Sequence, residues 1–567
     1  MAPDLDAATL EVLWARLLAV VDEQQDVLIR TAFSTVVRES QDLACGVFDT
    51  RGRMLAQSLT GTPGHINAMA TGVRHFLAAY PPADLRPGDV LVTNDPWQTA
   101  GQINDFTVLT PVYRGREIVA YFANTCHAPD IGGRLLSAEA REVYEEGLRV
   151  PITKLFAAGE PNAELIKLIR ANVRTPDETV GDLYAQAACN AVGGERLLTL
   201  LEAFGLPDLT ALGGEIMGRS ERALRSAIAA LPDGDYGAEA WSDGFEEPIV
   251  IRCRVSVRGS DLAIDFAGSS SESARGINVV LNYTHAYASF AVKAALSPDV
   301  PHNEGAFRPV RVSAPAGSIL NCRPPAAVAS RHVLGHFIPG VILQALAPAL
   351  PHGGQLAGSA DAIWISVWRG EGERRPFTFT LFQCGGMGAR AGSDGLSTTG
   401  YPSGVAGVPT EVIEALTPLV VERRELAVDT GGAGRWRGGL GQVVEVTRRG
   451  TSPWGVSAMI DRTGYPAPGA AGGHPGASGR FRVSSQPGAR PKQLAAIAPD
   501  GQVTLALPGG GGHGDPSRRE VERVLADVVA GYVSPAAAQA DYGLLIAYMG
   551  DPLDRVRPPE RWRVRDG

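Results

Sequence analysis

Apolar residues at Leu10, Leu13, Leu17, Val20 and Val21 recur at helical spacing, so the chain is expected to begin with an amphipathic helix facing a core. The next segment, "SQDLACGVFDTRGRMLAQS", sets two short apolar runs around "DTRGR" and reads as a β-hairpin with a glycine turn. Residues 64–80 return to a helical pattern, and "LRPGDVLVTND" is a turn followed by a strand. From Ser137 to about Leu231 the pattern predicts helices. It then switches to a period of two in "IVIRCRVSVRGSDLAIDFAGSS". "HAYASFAVKAAL" and "GHFIPGVILQALAPAL" are helical again, and residues 361–450 are strand-rich. "TGYPAPGAAGGHPGASGR" reads as a long surface loop, and a last helix pair follows "LPGGGGHGDP".

No repeat of solenoid length interrupts this order. At about 150 residues per domain, 567 residues imply several folding units. The 67 glycines favour strands and tight turns over a helical bundle. The expected fold class is mixed α/β (α+β), with largely antiparallel sheets and packed helices. Its three regions would be 1–231, carrying a hairpin and a helical segment; 232–410, a central α/β region; and 411–567, a glycine-rich β region with terminal helices.

Net charge is −9 and no Lys/Arg run forms a patch, which argues against nucleic acid as a partner. Cys45, Cys126, Cys189, Cys253, Cys322 and Cys384 form no C-x-x-C pair and are expected to be buried free thiols of a reducing cytoplasm. The acidic start lacks the positive region of a signal peptide, and no apolar run is long enough to span a membrane. A cytoplasmic protein is the expectation.

The stretch "TNDPWQTAGQINDFTVLTPVYRGREIVAYFANTCHAPDIGGR" concentrates Asn94, Asp95, Gln102, Asn104, Asp105, Asn124, His127 and Asp130 around two apolar runs. Joining "FTVLTPVY" and "REIVAYFA" at Arg114-Gly115 sets Tyr113 opposite Arg116. Asp105 then lies opposite Asn124, and Gln102 opposite His127. Opposed residues sit about 5 Å apart, so these four converge at one end. A carboxylate, an imidazole and a neutral oxygen suit a divalent ion of the Zn, Mn or Fe type. Asp and Asn also cap strand ends, and both readings stay open. His332 and His336 are four apart but lack the glutamate of H-E-x-x-H, and read as core or surface histidines. There is no phosphate-binding loop of the G-x-x-x-x-G-K-[ST] type and no G-x-S-x-G elbow. "GGAGRWRGG" and "PGGGGHGDP" read as tight turns.

Eight blocks occur in order across nearly the whole chain: "RESQDLACGVFDTRGRMLAQ", "PGDVLVTNDPW…QINDFTVLTPVY", "ANTCHAPDIGGR", "EEGLRVP", "NEGAFRPVRVSAPAGSILN", "PTEVIEA", "VDTGGAGRWRGGLGQ" and "PGGGGHGDP…GYVS…DYG". Together they resemble the hydantoinase B/oxoprolinase family. The resemblance implies one component of an ATP-dependent enzyme that opens cyclic amides such as hydantoins, 5-oxoproline or lactams. Related chains serve acetone- and acetophenone-type carboxylases, and a non-catalytic scaffold is the remaining alternative. ATP would belong to a hydantoinase A-type partner in a hetero-oligomer, which agrees with the missing phosphate loop. The family's metal motif carries over to Asp42, Asp105 and His127, but its first histidine is Gln102 here. A glutamine oxygen is a weaker zinc ligand than imidazole, so the ion would be held by a more oxygen-rich set, held loosely, or not held. Asp105, His127 and Asp130 would be catalytic. His65, Asn94, Asp95 and Asn124 would touch substrate or support the ligands.

Overall fold

The computed structural model describes residues 6–350, 356–372, 376–551 and 553–565; residues 1–5 of the acidic start lie outside these. The first helix runs Ala7–Thr31, and the Asp6 carboxylate caps it by accepting from the Thr9 N–H at 2.7 Å. Such a cap satisfies a donor that the helix itself leaves free. Leu10, Leu13, Leu17 and Val21 are buried in one apolar cluster with side chains of the helices Pro176–Ala203 and Thr210–Ala229.

That cluster lies on one face of a seven-stranded antiparallel sheet. Its order in space is Met54–Gln57, Leu43–Phe48, Glu117–His127, Asp105–Arg114, Val90–Thr93, Thr153–Ala157 and Glu160–Pro161. The helix Pro63–Ala79 covers the other face and is itself backed by Leu281–Leu296. Burial on both faces explains why "LACGVF" is a continuous run rather than an alternation.

The central hairpin corrects the register expected from sequence. Its turn is Gly115-Arg116, with Arg114 paired to Glu117. Gly115 has φ +66°, at the first central position, where such two-residue turns need glycine. A bulge between Val112 and Tyr113 adds one more residue of shift. Asp105 therefore pairs with His127, and Asn124 faces Val108.

Residues 137–162 are not helical apart from the single turn Val143–Glu146, and they supply the edge strands Thr153–Ala157 and Glu160–Pro161. Gly147, Pro151, Gly159 and Pro161 break the pattern there. Beyond residue 232, Gly234–Ser242, Ile249–Arg258, Asp261–Asp265 and Val310–Ser313 form a second sheet, joined at the last strand by the one parallel pairing among the described strands. The helix Phe337–Leu346 packs on it. Two further four-stranded sheets face each other across a shared core containing Trp364, Trp368, Val446 and Leu505. One of them pairs Trp364–Glu371 with Trp454–Met459, so it crosses the division at residue 410. The division at 232 is bridged by a cluster joining Leu224 and Ile228 to Ile251 and Val255. All six cysteines are free and buried.

The glycine-rich segments 430–441 and 508–514 are largely buried rather than tight surface turns, whereas residues 463–479 are irregular and keep exposed positions such as Ala471, Gly472, His474 and Pro475. Stretches at 357–360, 385–389, 430–441, 467–477 and 508–514 lie side by side and exchange backbone hydrogen bonds. Examples are Gly439 N–H to Met387 O at 2.8 Å, Gly510 N–H to Gly439 O at 2.9 Å, Gly432 N–H to Gly510 O at 2.8 Å and Gly511 N–H to Gly358 O at 2.8 Å. Residues 509–512 are buried at the centre, and none of them has a positive φ. A Cβ on Gly438 would fall 1.9 Å from the Gly510 carbonyl oxygen. As at the axis of a collagen triple helix, only glycine lets extended chains approach this closely.

Candidate functional site

The site gathers at one end of the seven-stranded sheet. Asp105 opens its strand and His127 closes the neighbouring one, directly opposite. Asp42 precedes Leu43–Phe48, and its carbonyl accepts from the His127 N–H at 3.2 Å. His65 stands in the first turn of Pro63–Ala79. Gln102 comes from the loop before Asp105. Asn94 holds this loop, its amide donating to Ile103 O at 2.7 Å and accepting from Val150 N–H at 2.6 Å.

Asp105 is fully buried, and four side chains meet its two oxygens. Gln102 Nε2 and His127 Nδ1 approach Oδ1 at 2.8 and 2.9 Å. His65 Nε2 lies 3.0 Å from Oδ2, and the Arg331 guanidinium reaches the same oxygen. Arg331 also donates from Nε to Ala100 O at 2.7 Å and stacks on the Tyr283 ring at 4.0 Å. Gly101, with φ +89°, is needed here, because a Cβ would meet the arginine side chain at 3.0 Å. Burial pushes the Asp105 carboxyl up, but Arg331 and His65 more than offset this and hold it well below the usual carboxylate range. Burial lowers the His65 imidazole, whereas Asp105 and Asp42 outweigh that and leave it raised.

Gln102 Nε2 also lies 2.7 Å from His127 Nδ1. The amide must present its nitrogen here, since its oxygen would face the ionised Asp105 at the same distance. One N–H then goes to Asp105 and the other to the Nδ1 lone pair, so the His127 proton sits on Nε2. Gln102 Oε1 is buried without a hydrogen-bond partner, and His65 Nδ1, also without one, lies 3.5 Å from Asp42 Oδ1. Asp42 accepts from Thr62 Oγ1 at 2.8 Å, and its Oδ2 lies 3.9 Å from His127 Nδ1.

These contacts decide whether a divalent ion fits. Both Asp105 oxygens and His127 Nδ1 are engaged, an amide nitrogen fills the corner between them, and a guanidinium already supplies positive charge. Among the described residues, no group of three or more His, Cys, Asp or Glu is arranged to hold a metal ion. The donor set as it stands does not fit one.

The other sequence candidates lie outside this net. Asn124 donates to Asn190 Oδ1 at 2.7 Å and accepts from Gln186 Nε2 at 2.7 Å, tying its strand to the helix Pro176–Ala203. Asp130 accepts from Gly132 N–H at 2.8 Å and pairs with Arg174. Asp95 caps the Trp97 N–H at 3.0 Å. One residue that sequence reasoning passed over belongs here instead, Arg331, and it is followed in the chain by His332, which the sequence reads as a core or surface histidine. Arg331 is brought in by Glu146, whose Oε1 accepts from the N–H groups of Val328 and Ala329 at 2.6 and 2.7 Å. His332 is buried, with neither ring nitrogen partnered, and feels the charges of both His127 and Asp105. The only sequence signal was "SRHVLGH", whose spacing carries no ligand rule.

A solved structure described as ATP-dependent caprolactamase from Pseudomonas jessenii superposes with a TM-score of 0.88 at 26% identity, covering 97% of this chain and 98% of that one. An acetone carboxylase structure shares the fold, with a TM-score of 0.85 at 19% identity, covering 98% of this chain and 81% of that one. A protein of Pseudomonas sp. (strain NS671), named as the B-type component of a D-/L-hydantoinase, is 30% identical over 96% of this chain and 95% of its own length. The family model described as Hydantoinase B/oxoprolinase matches residues 6–516, and the chain belongs to that family.

Proposed function

We propose that this chain is the B-type component of a two-component, ATP-dependent amidohydrolase that opens a cyclic amide of the hydantoin, oxoproline or lactam type. A separate hydantoinase A-type partner holds ATP and phosphorylates the amide carbonyl oxygen, and this chain receives the activated ring. The observation that carries the reading is the buried net of Asp42, His65, Gln102, Asp105, His127 and Arg331. Its open groups are suited to the task. His127 Nε2–H is set by Gln102 to donate to an oxygen of the activated substrate. Asp42 Oδ2 is a carboxylate oxygen free to take a proton from the attacking water. Water adds to the activated carbon, the ring C–N bond opens as the nitrogen takes up a proton, and a second water hydrolyses the resulting acyl phosphate to carboxylate and inorganic phosphate. The relatives named for hydantoinase and caprolactamase activity support the substrate class.

The test is ADP release and ring opening by the complex with its cognate A-type partner, on hydantoin, 5-oxoproline and ε-caprolactam. Asp42→Asn should assemble normally and lose turnover. Product formation from a ketone that requires bicarbonate would replace the hydrolase with a carboxylase. Full turnover by Asp42→Asn would remove the chemistry from this site.

A further inference from the structure

Counting acceptors against donors points to one more residue. The net around Asp105 turns a donor outward, His127 Nε2–H, which matches a carbonyl or phosphoryl oxygen, while the His65 ring faces Asp105 and Asp42. A cyclic amide phosphorylated on its oxygen keeps its ring N–H on a positively charged C=N nitrogen, which needs an acceptor. His332 is 2% exposed, and both of its ring nitrogens lack any partner. It follows Arg331, whose guanidinium is fixed on Asp105 and Ala100, and it opens the short helix His332–Gly335. Its ring centroid is 5.8 Å from that of His336, which in turn lies 5.1 Å from the Tyr287 ring. Tyr287 also crowds Gly64, the neighbour of His65, so this aromatic wall closes back on the site. Burial, with the neighbouring His336 ring and the Arg331 charge, holds the imidazole well below its usual range, so it is neutral and keeps one lone pair. A buried polar group without a partner calls for a ligand or a bound water.

We propose that His332 is a substrate-contacting residue, whose ring lone pair accepts the N–H of the cyclic amide and so orients the ring beside His127. This deepens, and rests on, the cyclic-amide reading above. It predicts a selectivity that a packing histidine would not produce.

The experiment uses the complex with its A-type partner and whichever of hydantoin, 5-oxoproline or ε-caprolactam it turns over, beside the N-methyl form of that ring. The native complex should favour the N–H ring by about tenfold or more in kcat/KM, one hydrogen bond's worth. In His332→Met, similar in volume and without ring nitrogens, that preference should vanish and KM should rise about tenfold, with kcat changing less. Its melting temperature should hold or rise by about 2 °C, because two unpartnered buried nitrogens are gone. Retained selectivity with unchanged KM would overturn the contact alone, as would a lowered melting temperature with native kinetics. A native complex that opens none of the three rings would overturn the cyclic-amide reading and this assignment with it.

Discussion

Removing the charge on Asp105 tests the centre of the site. Asp105→Asn would leave the Arg331 guanidinium, 3% exposed, without its carboxylate. It would also turn one N–H₂ toward donors already in place on Gln102 or His65. Breaking a buried pair from one side costs about 3–5 kcal/mol, because the surviving charge stays desolvated. Arg331→Met should cost about 3 kcal/mol, since Asp105 keeps its bonds from His65 and Gln102. With both changed no isolated charge remains, so the double variant should be about 2–3 kcal/mol more stable than the sum of the single losses. Urea titration of the four proteins, followed by fluorescence of the eight tryptophans, measures this coupling. Additive losses within about 0.5 kcal/mol would refute the pairing and the claim that Arg331 supplies the site's resident positive charge.

Burial pushes the Glu146 carboxyl up from 4.5 to about 8, so its folded form holds a proton that the unfolded chain has released. The stability it lends is therefore complete below pH 4.5 and lost as pH rises through 8. Glu146→Gln should flatten that decline in urea titrations by about 2–5 kcal/mol between about pH 5 and 9, and an unchanged slope would contradict it. After incubation with Zn, Mn or Fe and desalting, elemental analysis should find well under one equivalent on the native chain and near one on Gln102→His. A full equivalent on the native chain would show that the closed hydrogen-bond net opens for an ion. Gly438→Ala should cost about 4 kcal/mol or more through overpacking and lost backbone bonds, as thermal unfolding would report. Gly214→Ala, on an open helix face with nothing within 4 Å, should instead stabilise by about 0.5–1 kcal/mol.

The first helix, the two hairpins and the buried thiols were legible because each is local, set by a period or a turn signal. The meeting of Gln102, Asp105 and His127 was legible for the same reason, although turn placement and a bulge changed which residues face each other. Asn124 was drawn in by the wrong register, while nothing local told Asp130 and Asp95 apart from ligands. Arg331 was out of reach because more than 200 residues separate it from Asp105, and a fold, not a spacing, brings them together. The glycine segments misled because "PGGGGHGDP" has the composition of a loop. Only the partner segments show that its missing side chains make room for neighbouring backbone.

That glycine array also constrains how the protein comes into being. Its five segments are spread from residue 357 to residue 514, and the central one is the last of them to be made. Each segment offers its neighbours mostly backbone polar groups and few apolar side chains, so little is gained from pairing early, while every long intervening loop must still be closed. During synthesis the amides and carbonyls that pair with the final segment would wait open beside completed N-terminal structure, exposed to water or to another chain. Assembly of this half is then a single late event that the final segment triggers. Its yield would respond to translation speed and to crowding of nascent chains in a way the N-terminal sheet would not.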